Sequence, residues 1–161
     1  MKRIAFIFIS LVFFSCSKTG ILSIPLKVSN SLEVAITANS PANMQIPLSV
    51  DAGSDPEMQK YLSKVKRFTV KSISYEVENF YGTPGTQLNG TVSIGDINIA
   101  INKLILDQAG SHTLELSPEQ LAAIGEDFST DNEVAAVVSG TVNNKPAAFR
   151  IKFTFNVSVR I

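Results

Sequence analysis

The chain has 161 residues, with 14 basic and 14 acidic side chains, so its formal net charge at pH 7 is zero. Its length corresponds to one ordinary domain. The lack of a basic excess argues against a nucleic-acid-binding protein, because such proteins need a positively charged face. Tryptophan is absent and only three tyrosines are present, so carbohydrate binding by ring stacking is not indicated.

The first sixteen residues have the pattern of a bacterial export signal. Lys2 and Arg3 form a basic start, and residues 4–14 are almost entirely apolar. This stretch is shorter than the roughly 20 apolar residues that a membrane-spanning helix needs. The next two residues, Ser15 and Cys16, resemble the end of a lipoprotein signal, in which a small residue precedes the acylated cysteine. We therefore expect cleavage before Cys16 and lipid attachment to its thiol.

An ordinary secretory signal cut after Ser17 is the alternative, with Ser15 and Ser17 as the small residues at the cleavage site. Cysteine usage favours lipidation, because Cys16 is the only cysteine and one unpaired thiol is unusual in an oxidising compartment. Serine rather than aspartate follows the cysteine, which by the sorting rules of bacterial lipoproteins favours the outer membrane. No acidic run follows either, so we expect the periplasmic face, with the cell surface as the alternative.

The sequence predicts three parts of the chain. They are a signal peptide over residues 1–15, a lipidated cysteine and tether over residues 16–30, and one β domain over residues 31–161. Removal of the signal would leave 12 basic and 14 acidic side chains, a formal charge of −2.

Two segments early in the predicted mature chain have the features of edge strands. Residues 21–28 contain Pro25 and residues 46–50 contain Pro47, and proline has no amide hydrogen to donate inside a sheet. Alternating apolar residues predict a separate strand over residues 32–37.

Two short helices are predicted from their first residues. Asp55 is placed to cap a helix that begins at Pro56. Ser117 and Gln120 have the spacing of a capping box at the start of the second helix. Gly125 is expected to end that helix.

Two local features are predicted within the strands between these helices. The apolar residues of segment 68–80 change from even to odd positions, which predicts a β-bulge near Lys71-Ser72. Gly95-Asp96 is predicted to be the two-residue turn of a hairpin.

The C-terminal segment alternates most regularly, since odd-numbered residues from Phe149 to Ile161 are apolar and the even-numbered ones between them are polar. This pattern predicts a long antiparallel strand with one buried face. Asn143-Asn144 suits a turn, so residues 134–142 are predicted to be its hairpin partner. A strand of this length is expected to twist strongly or to bend so that it serves two sheets.

These elements together predict an all-β fold. The best interpretation is an antiparallel β-sandwich of about seven to nine strands with two short helices, and a closed or half-closed β-barrel is the alternative. A parallel α/β sheet is disfavoured, because helices do not alternate with the strands.

No residue pattern predicts catalysis, a metal site or a cofactor. His112 is the only histidine, and it is expected to be a solvated turn residue because no local signature supplies a nucleophile or an acid. The acidic residues between Glu126 and Glu133 do not match a calcium-binding loop. We therefore expect a protein that is not an enzyme, and a small hydrolase with an unrecognised site ranks well below this interpretation.

The densest charge cluster lies on the first predicted helix and the strand after it. Its five members, called here the basic cluster, are Lys60, Lys64, Lys66, Arg67 and Lys71. Facing a membrane, each would contribute about 1 kcal/mol of attraction to anionic headgroups. The simpler interpretation is the polar face of an amphipathic helix that continues into a strand.

Two parts of the sequence carry a family resemblance. They are Ser15-Cys16 and the stretch SDPEMQKYLSKVKRFTVKSISYEVENF over residues 54–80. In these parts the chain resembles uncharacterised exported lipoproteins of the Bacteroidota type with a β-sandwich domain. The resemblance implies membrane attachment through lipid on Cys16, but neither a substrate nor a site. We expect a lipid-anchored, non-catalytic binding or scaffold protein, with a fimbrial or adhesin-like subunit assembled by strand addition as the alternative.

Overall fold

The computed structural model describes residues 23–41 and 43–161, so the predicted signal peptide and Cys16 lie outside the described residues. The strands are β1 (Ser23–Ile36), β2 (Met44–Asp51), β3 (Arg67–Gly82), β4 (Gln87–Ile94), β5 (Ile97–Ile105), β6 (Ser111–Thr113), β7 (Glu133–Val142) and β8 (Ala147–Arg160). The helices are α1 (Pro56–Gln59) and α2 (Pro118–Asp131), and 3-10 turns span Ala52–Ser54 and Leu62–Lys64.

The eight strands form two antiparallel sheets of four strands each. The first sheet has the order β1-β8-β3-β6, and the second has the order β2-β7-β4-β5. Two four-stranded sheets connected in this Greek-key order form a jelly roll. The predicted β-sandwich with two short helices is therefore confirmed, and the described strands do not close into the alternative barrel.

The core lies between the two sheets, and β8 contributes three buried phenylalanines to it. Phe149, Phe153 and Phe155 are each at most 3% exposed. These odd-numbered residues face inward, while their polar neighbours lie on the outer face of the first sheet. The long antiparallel strand with one buried face, predicted from the alternating C-terminal residues, is therefore confirmed.

The predicted hairpin between residues 134–142 and the C-terminal strand is wrong. β7 pairs with β2 and β4 in the second sheet, whereas β8 pairs with β1 and β3 in the first. Asn143 donates its backbone N–H to the Gln87 carbonyl, and the Gln87 N–H donates to Asn143 Oδ1. These bonds hold the connection against β4 while the chain crosses between the sheets. β8 stays in one sheet along its whole length.

Residues 23–30, predicted as part of the tether, lie within β1. This strand pairs with β8 along its whole length without a register shift, so residues 23–28 and 32–36, which were predicted in two separate strands, belong to one strand. Asn30 lies between them, where its Nδ2 donates to the Ser49 carbonyl of β2. The β domain therefore includes residues 23–30 as well as residues 31–161.

Several local predictions are confirmed in the strands. Pro25 and Pro47 lie on β1 and β2, which are edge strands of the two sheets. The register of β3 against β8 shifts between Val70 and Ser72, where the bulge was predicted. Gly95 has a φ of 53° in the turn between β4 and β5, a conformation that glycine adopts without strain.

Both helices begin as predicted. Asp55 Oδ1 accepts the backbone N–H groups of Glu57 and Met58 at 2.8 and 3.0 Å. Ser117 and Gln120 form the complete capping box at the start of α2. These caps satisfy amide groups that have no partner within the first helical turn.

The predicted end of α2 at Gly125 is wrong, because the helix continues to Asp131. It ends at Asn132, which adopts the left-handed conformation with a φ of 58°. Gly125 faces β3, and a Cβ atom there would lie 3.1 Å from the Phe68 carbonyl oxygen. The Phe68 N–H donates to Ser129 Oγ at 2.9 Å, so α2 lies directly against the backbone of β3.

A candidate membrane-facing surface at one end of the sandwich

Basic side chains from three parts of the chain meet at one end of the first sheet. Arg67 begins β3 and lies opposite Arg160, near the end of β8. Lys66 donates its backbone N–H to the Arg160 carbonyl at 2.8 Å. On its other side, Arg160 pairs with Ser23, where β1 begins. The described chain therefore enters the domain beside a row of cationic residues.

Two further lysines lie next to this row on the same sheet. Lys71 is the residue that the bulge in β3 leaves without a partner, while its neighbour Ser72 pairs with Asn156. Lys27 of β1 pairs with Asn156 from the other side. Both lysines are exposed and line an open cleft of about 510 Å³. Because β8 lies between β1 and β3 and neighbouring strands are about 4.8 Å apart, the Cα atoms of Lys27 and Lys71 are separated by roughly 10 Å.

We call this surface the basic corner, and its members are Lys27, Lys66, Arg67, Lys71 and Arg160. Three of them belong to the predicted basic cluster. The two others, Lys27 and Arg160, were missed, since only the register of β1, β8 and β3 brings them to the same end of the sheet.

The remaining members of the basic cluster, Lys60 and Lys64, lie outside the paired strands. Lys60 Nζ donates to Glu57 Oε1 at 2.5 Å, and this hydrogen bond raises the pKa of Lys60 above its ordinary value. Lys64 ends the second 3-10 turn and is exposed. The positive charge of Lys60 is therefore partly compensated within the domain.

Cations at the two ends of the first sheet differ in their acidic partners. The Arg150 guanidinium lies 2.5 Å from Glu33 Oε1 and 3.9 Å from Glu78 Oε2. Lys152 Nζ lies 3.1 Å from Glu76 Oε1. By contrast, no carboxylate of the described residues lies within 4.0 Å of the charged nitrogens of the basic corner. The charges of the basic corner therefore have no ion pair that an external anion would have to displace.

Acidic side chains lie at the same end of the sandwich, mainly toward the second sheet. Asp51 lies opposite Glu133 where β2 ends and β7 begins. Asp127 of α2 lies beside Gly95 of the β4–β5 turn. Asp55 and Glu57 line the cleft near Lys27 and Lys71, although Asp55 Oδ1 already caps α1 and Glu57 Oε1 accepts from Lys60. An anionic surface would therefore meet this end through the outer face of the first sheet.

His112 lies within β6 rather than in the predicted turn. Its ring stacks on Tyr75, with 5.2 Å between the ring centroids and 23° between the ring planes. Burial raises the pKa of the Tyr75 phenol. The histidine thus covers an aromatic side chain at the edge of the sandwich.

Residues 23–41 and 43–161 contain neither a candidate metal site nor a helix that could span a membrane. Within these ranges, no three His, Cys, Asp or Glu side chains are grouped so that they could hold a metal ion. None of the helices in the same ranges is long and apolar enough to cross a bilayer.

Comparison with known proteins identifies the fold but no family. No protein-family model matches the chain, and neither does any curated protein. The decameric BFDV capsid protein is similar in structure, with a TM-score of 0.52 and 10% identity over 86% of this chain and 100% of that chain. A chain from the structure of Desmodium yellow mottle tymovirus matches less well, with a TM-score of 0.38 and 12% identity over 85% of this chain and 88% of that chain. At this identity, the first likeness shows the jelly-roll fold alone.

Proposed function

We propose that the protein is a lipid-anchored, non-catalytic binding or scaffold protein of the outer membrane, attached through Cys16. The observation that carries this proposal is the position of Ser23 beside the basic corner. Only seven residue steps separate Cys16 from Ser23, and an extended chain spans at most about 3.6 Å per residue. A lipid on Cys16 would therefore hold the basic corner within about 25 Å of the bilayer.

Electrostatic attraction would then add to the lipid anchor. A cationic residue near an anionic membrane surface contributes about 1 kcal/mol, and the effect decays over about 8 Å at physiological ionic strength. The unpaired charges of the basic corner fit this role better than the ion-paired cations at the opposite end. The domain would contact the membrane with one corner and leave the remainder of the sandwich free to bind partners.

Replacement of Cys16 by alanine is expected to move the exported protein from the membrane to the soluble fraction, because no acyl chain can then be attached. Cell fractionation measures this change, and mass spectrometry of the mature wild-type N-terminus should find a diacylglycerol group on Cys16. Ser17→Ala is the matched control and should stay with the membrane. Membrane retention of the cleaved Cys16→Ala protein, or an unmodified wild-type N-terminus, would contradict the proposed anchor.

Neutralising the basic corner is expected to weaken binding to anionic membranes. In the soluble Cys16→Ala protein, the pair Arg67→Gln and Lys71→Gln should reduce affinity for vesicles rich in anionic lipid about thirtyfold, which corresponds to roughly 1 kcal/mol per charge. Lys152→Gln removes a cation at the ion-paired end and is the control. Vesicle cosedimentation measures the affinity, and an equal loss of binding free energy per removed charge in control and test proteins would show that only net charge matters.

A structural subunit assembled by strand addition is a second candidate function, favoured by the long open edge of β1. Such a subunit should form extended polymers after processing of its N-terminus. Purification of the mature protein as a lipidated monomer or closed dimer would exclude it.

A further inference from the structure

Four of the described strands lie at sheet edges, and of these only β1 is both long and regular. β6 has three residues, and β2 has Pro47 near its centre. β5 contains Lys103, whose φ of 52° departs from the strand conformation. By contrast, β1 has 14 residues and no register shift. A long, flat edge strand presents unpaired backbone groups to which another strand can add.

The backbone groups on the open edge of β1 belong to its odd-numbered residues. The Ser31 N–H donates to Asn30 Oδ1 at 2.8 Å rather than to β8. Backbone direction alternates along an antiparallel strand, so Lys27, Ser29 and Glu33 also direct their N–H and C=O groups away from β8. Pro25 has the same parity, and its missing N–H removes no bond to β8.

We propose that β1 pairs with β1 of a second copy of this chain, antiparallel and about a two-fold axis at Asn30. In this register Lys27 lies opposite Glu33 of the second copy, and Ser29 lies opposite Ser31 of the second copy. Because of the two-fold symmetry, each of these pairs occurs twice in the dimer. Odd-numbered residues face odd-numbered residues, so the open backbone groups of the two strands meet.

Charge favours this register. Lys27 Nζ has no carboxylate within 4.0 Å among the described residues, whereas Glu33 Oε1 accepts from Arg150. A carboxylate has two oxygens and several acceptor positions, so Glu33 can bind Lys27 of the second copy and keep Arg150. The Ser31 N–H exchanges the Asn30 side chain for a backbone carbonyl of the second copy.

Apolar surface at the same edge also lacks full cover. Leu26 and Leu32 point toward the core but are only partly buried, and no described strand of the first sheet pairs with the open edge of β1. The register about Asn30 places Leu26 opposite Val34 and Leu32 opposite Val28 of the second copy. Pairing would therefore bury apolar surface and join the two first sheets into one sheet of eight strands.

This pairing is compatible with the basic corner and does not depend on the lipid. The two-fold axis of an antiparallel pair is perpendicular to the sheet, so the outer faces of both first sheets lie on the same side of the dimer. Both basic corners then face that side. A dimer could thus contact one membrane through two anchors and two charged corners, which increases the total avidity.

A zero-length carbodiimide cross-linker applied to the native protein in membranes tests the register directly. Lys27 and Glu33 of one copy are six residues apart in one strand, about 20 Å, so a bond between them must join two copies. Mass spectrometry of the cross-linked dimer should find the Lys27–Glu33 peptide. A cross-linked dimer without this peptide, or no dimer, would overturn the proposal.

Exchanging the charges of Lys27 and Glu33 tests the same contact. The dissociation constant of the dimer is measured by sedimentation equilibrium of the purified mature lipoprotein in detergent. Lys27→Glu and Glu33→Lys should each raise the dissociation constant of the dimer about tenfold or more, because like charges then face each other twice. The double variant should return to the wild-type value, although its Arg150 still faces a lysine. Glu76→Lys, away from the edge, should have no effect.

Two results would overturn the pairing. Wild-type protein that stays monomeric at all concentrations would mean that Pro25 and Lys27 only protect the edge. A double variant as weak as either single variant would assign the loss to something other than this contact. The same series in the Cys16→Ala protein separates failure of the pairing from failure of the anchor.

Discussion

Replacing Phe128 with alanine is expected to lower the free energy of unfolding by about 3–5 kcal/mol, the range found for fully buried phenylalanines. Phe128 is completely buried on α2, where the helix covers the end of the space between the sheets. Its ring lies 5.5 Å from Phe68 of β3 and 5.5 Å from Phe155 of β8, edge-on to the latter. Truncation would leave a cavity that the rigid strands on both sides cannot fill.

Urea unfolding of the soluble Cys16→Ala protein, followed by circular dichroism, measures this loss. Thr130→Ala is the control, because Thr130 is exposed on the same helix and its Oγ1 only bonds back to the Glu126 carbonyl. The control should change stability by less than about 0.5 kcal/mol. A similar small change for Phe128→Ala would mean that α2 does not close the core.

Replacing Gly90 with alanine is expected to cost about 3 kcal/mol or more, at the upper end of the range for overpacking. Gly90 of β4 lies directly opposite Gly140 of β7. A Cβ atom on Gly90 would overlap the Ser139 carbonyl oxygen and lie 2.8 Å from Gly140 Cα. These atoms are backbone within a hydrogen-bonded sheet, so no flexible side chain can move aside.

Thermal unfolding and the yield of folded protein measure the Gly90→Ala effect. Gly110→Ala is the matched control, since the nearest atom to its added methyl group would be His112 Nε2 at 3.9 Å. We expect the control to stay within about 0.5 kcal/mol of the wild type. Equal stability of both variants would show that β4 and β7 do not approach this closely.

The features that the sequence predicted correctly are those decided by the residue itself and its near neighbours. Asp55 and Ser117 cap helices because their short polar side chains reach amides two or three residues away. Pro25 and Pro47 lie on edges because they have no amide hydrogen. The bulge after Val70 follows from the change of phase in the apolar pattern, which a regular strand cannot accommodate.

The wrong predictions concern partners that are distant in the sequence. Gly125 is a common residue at a helix end, but here its missing side chain permits contact with the Phe68 backbone. Asn143-Asn144 suits a tight turn, yet the bonds between Asn143 and Gln87 direct the chain into the other sheet. Neither contact has a signature in the local sequence.

The candidate site was predictable to a similar extent. Lys66, Arg67 and Lys71 are neighbours in the sequence, so a basic surface around them was evident. Lys27 and Arg160 join them only because β8 lies between β1 and β3. No pattern of charge along the chain determines which strands are neighbours, so the complete basic corner required the topology.

The central position of β8 in the first sheet has a consequence for the timing of folding. β8 is the last of the described strands, and it pairs Arg160 with Ser23, 137 positions away. Until ribosomes have made β8, β1 and β3 have no common neighbour, and the hydrophobic interior cannot close. Contacts between such distant residues form slowly. A newly made chain would therefore stay unfolded at least until β8 has been synthesised, which would suit the export across a membrane that we propose.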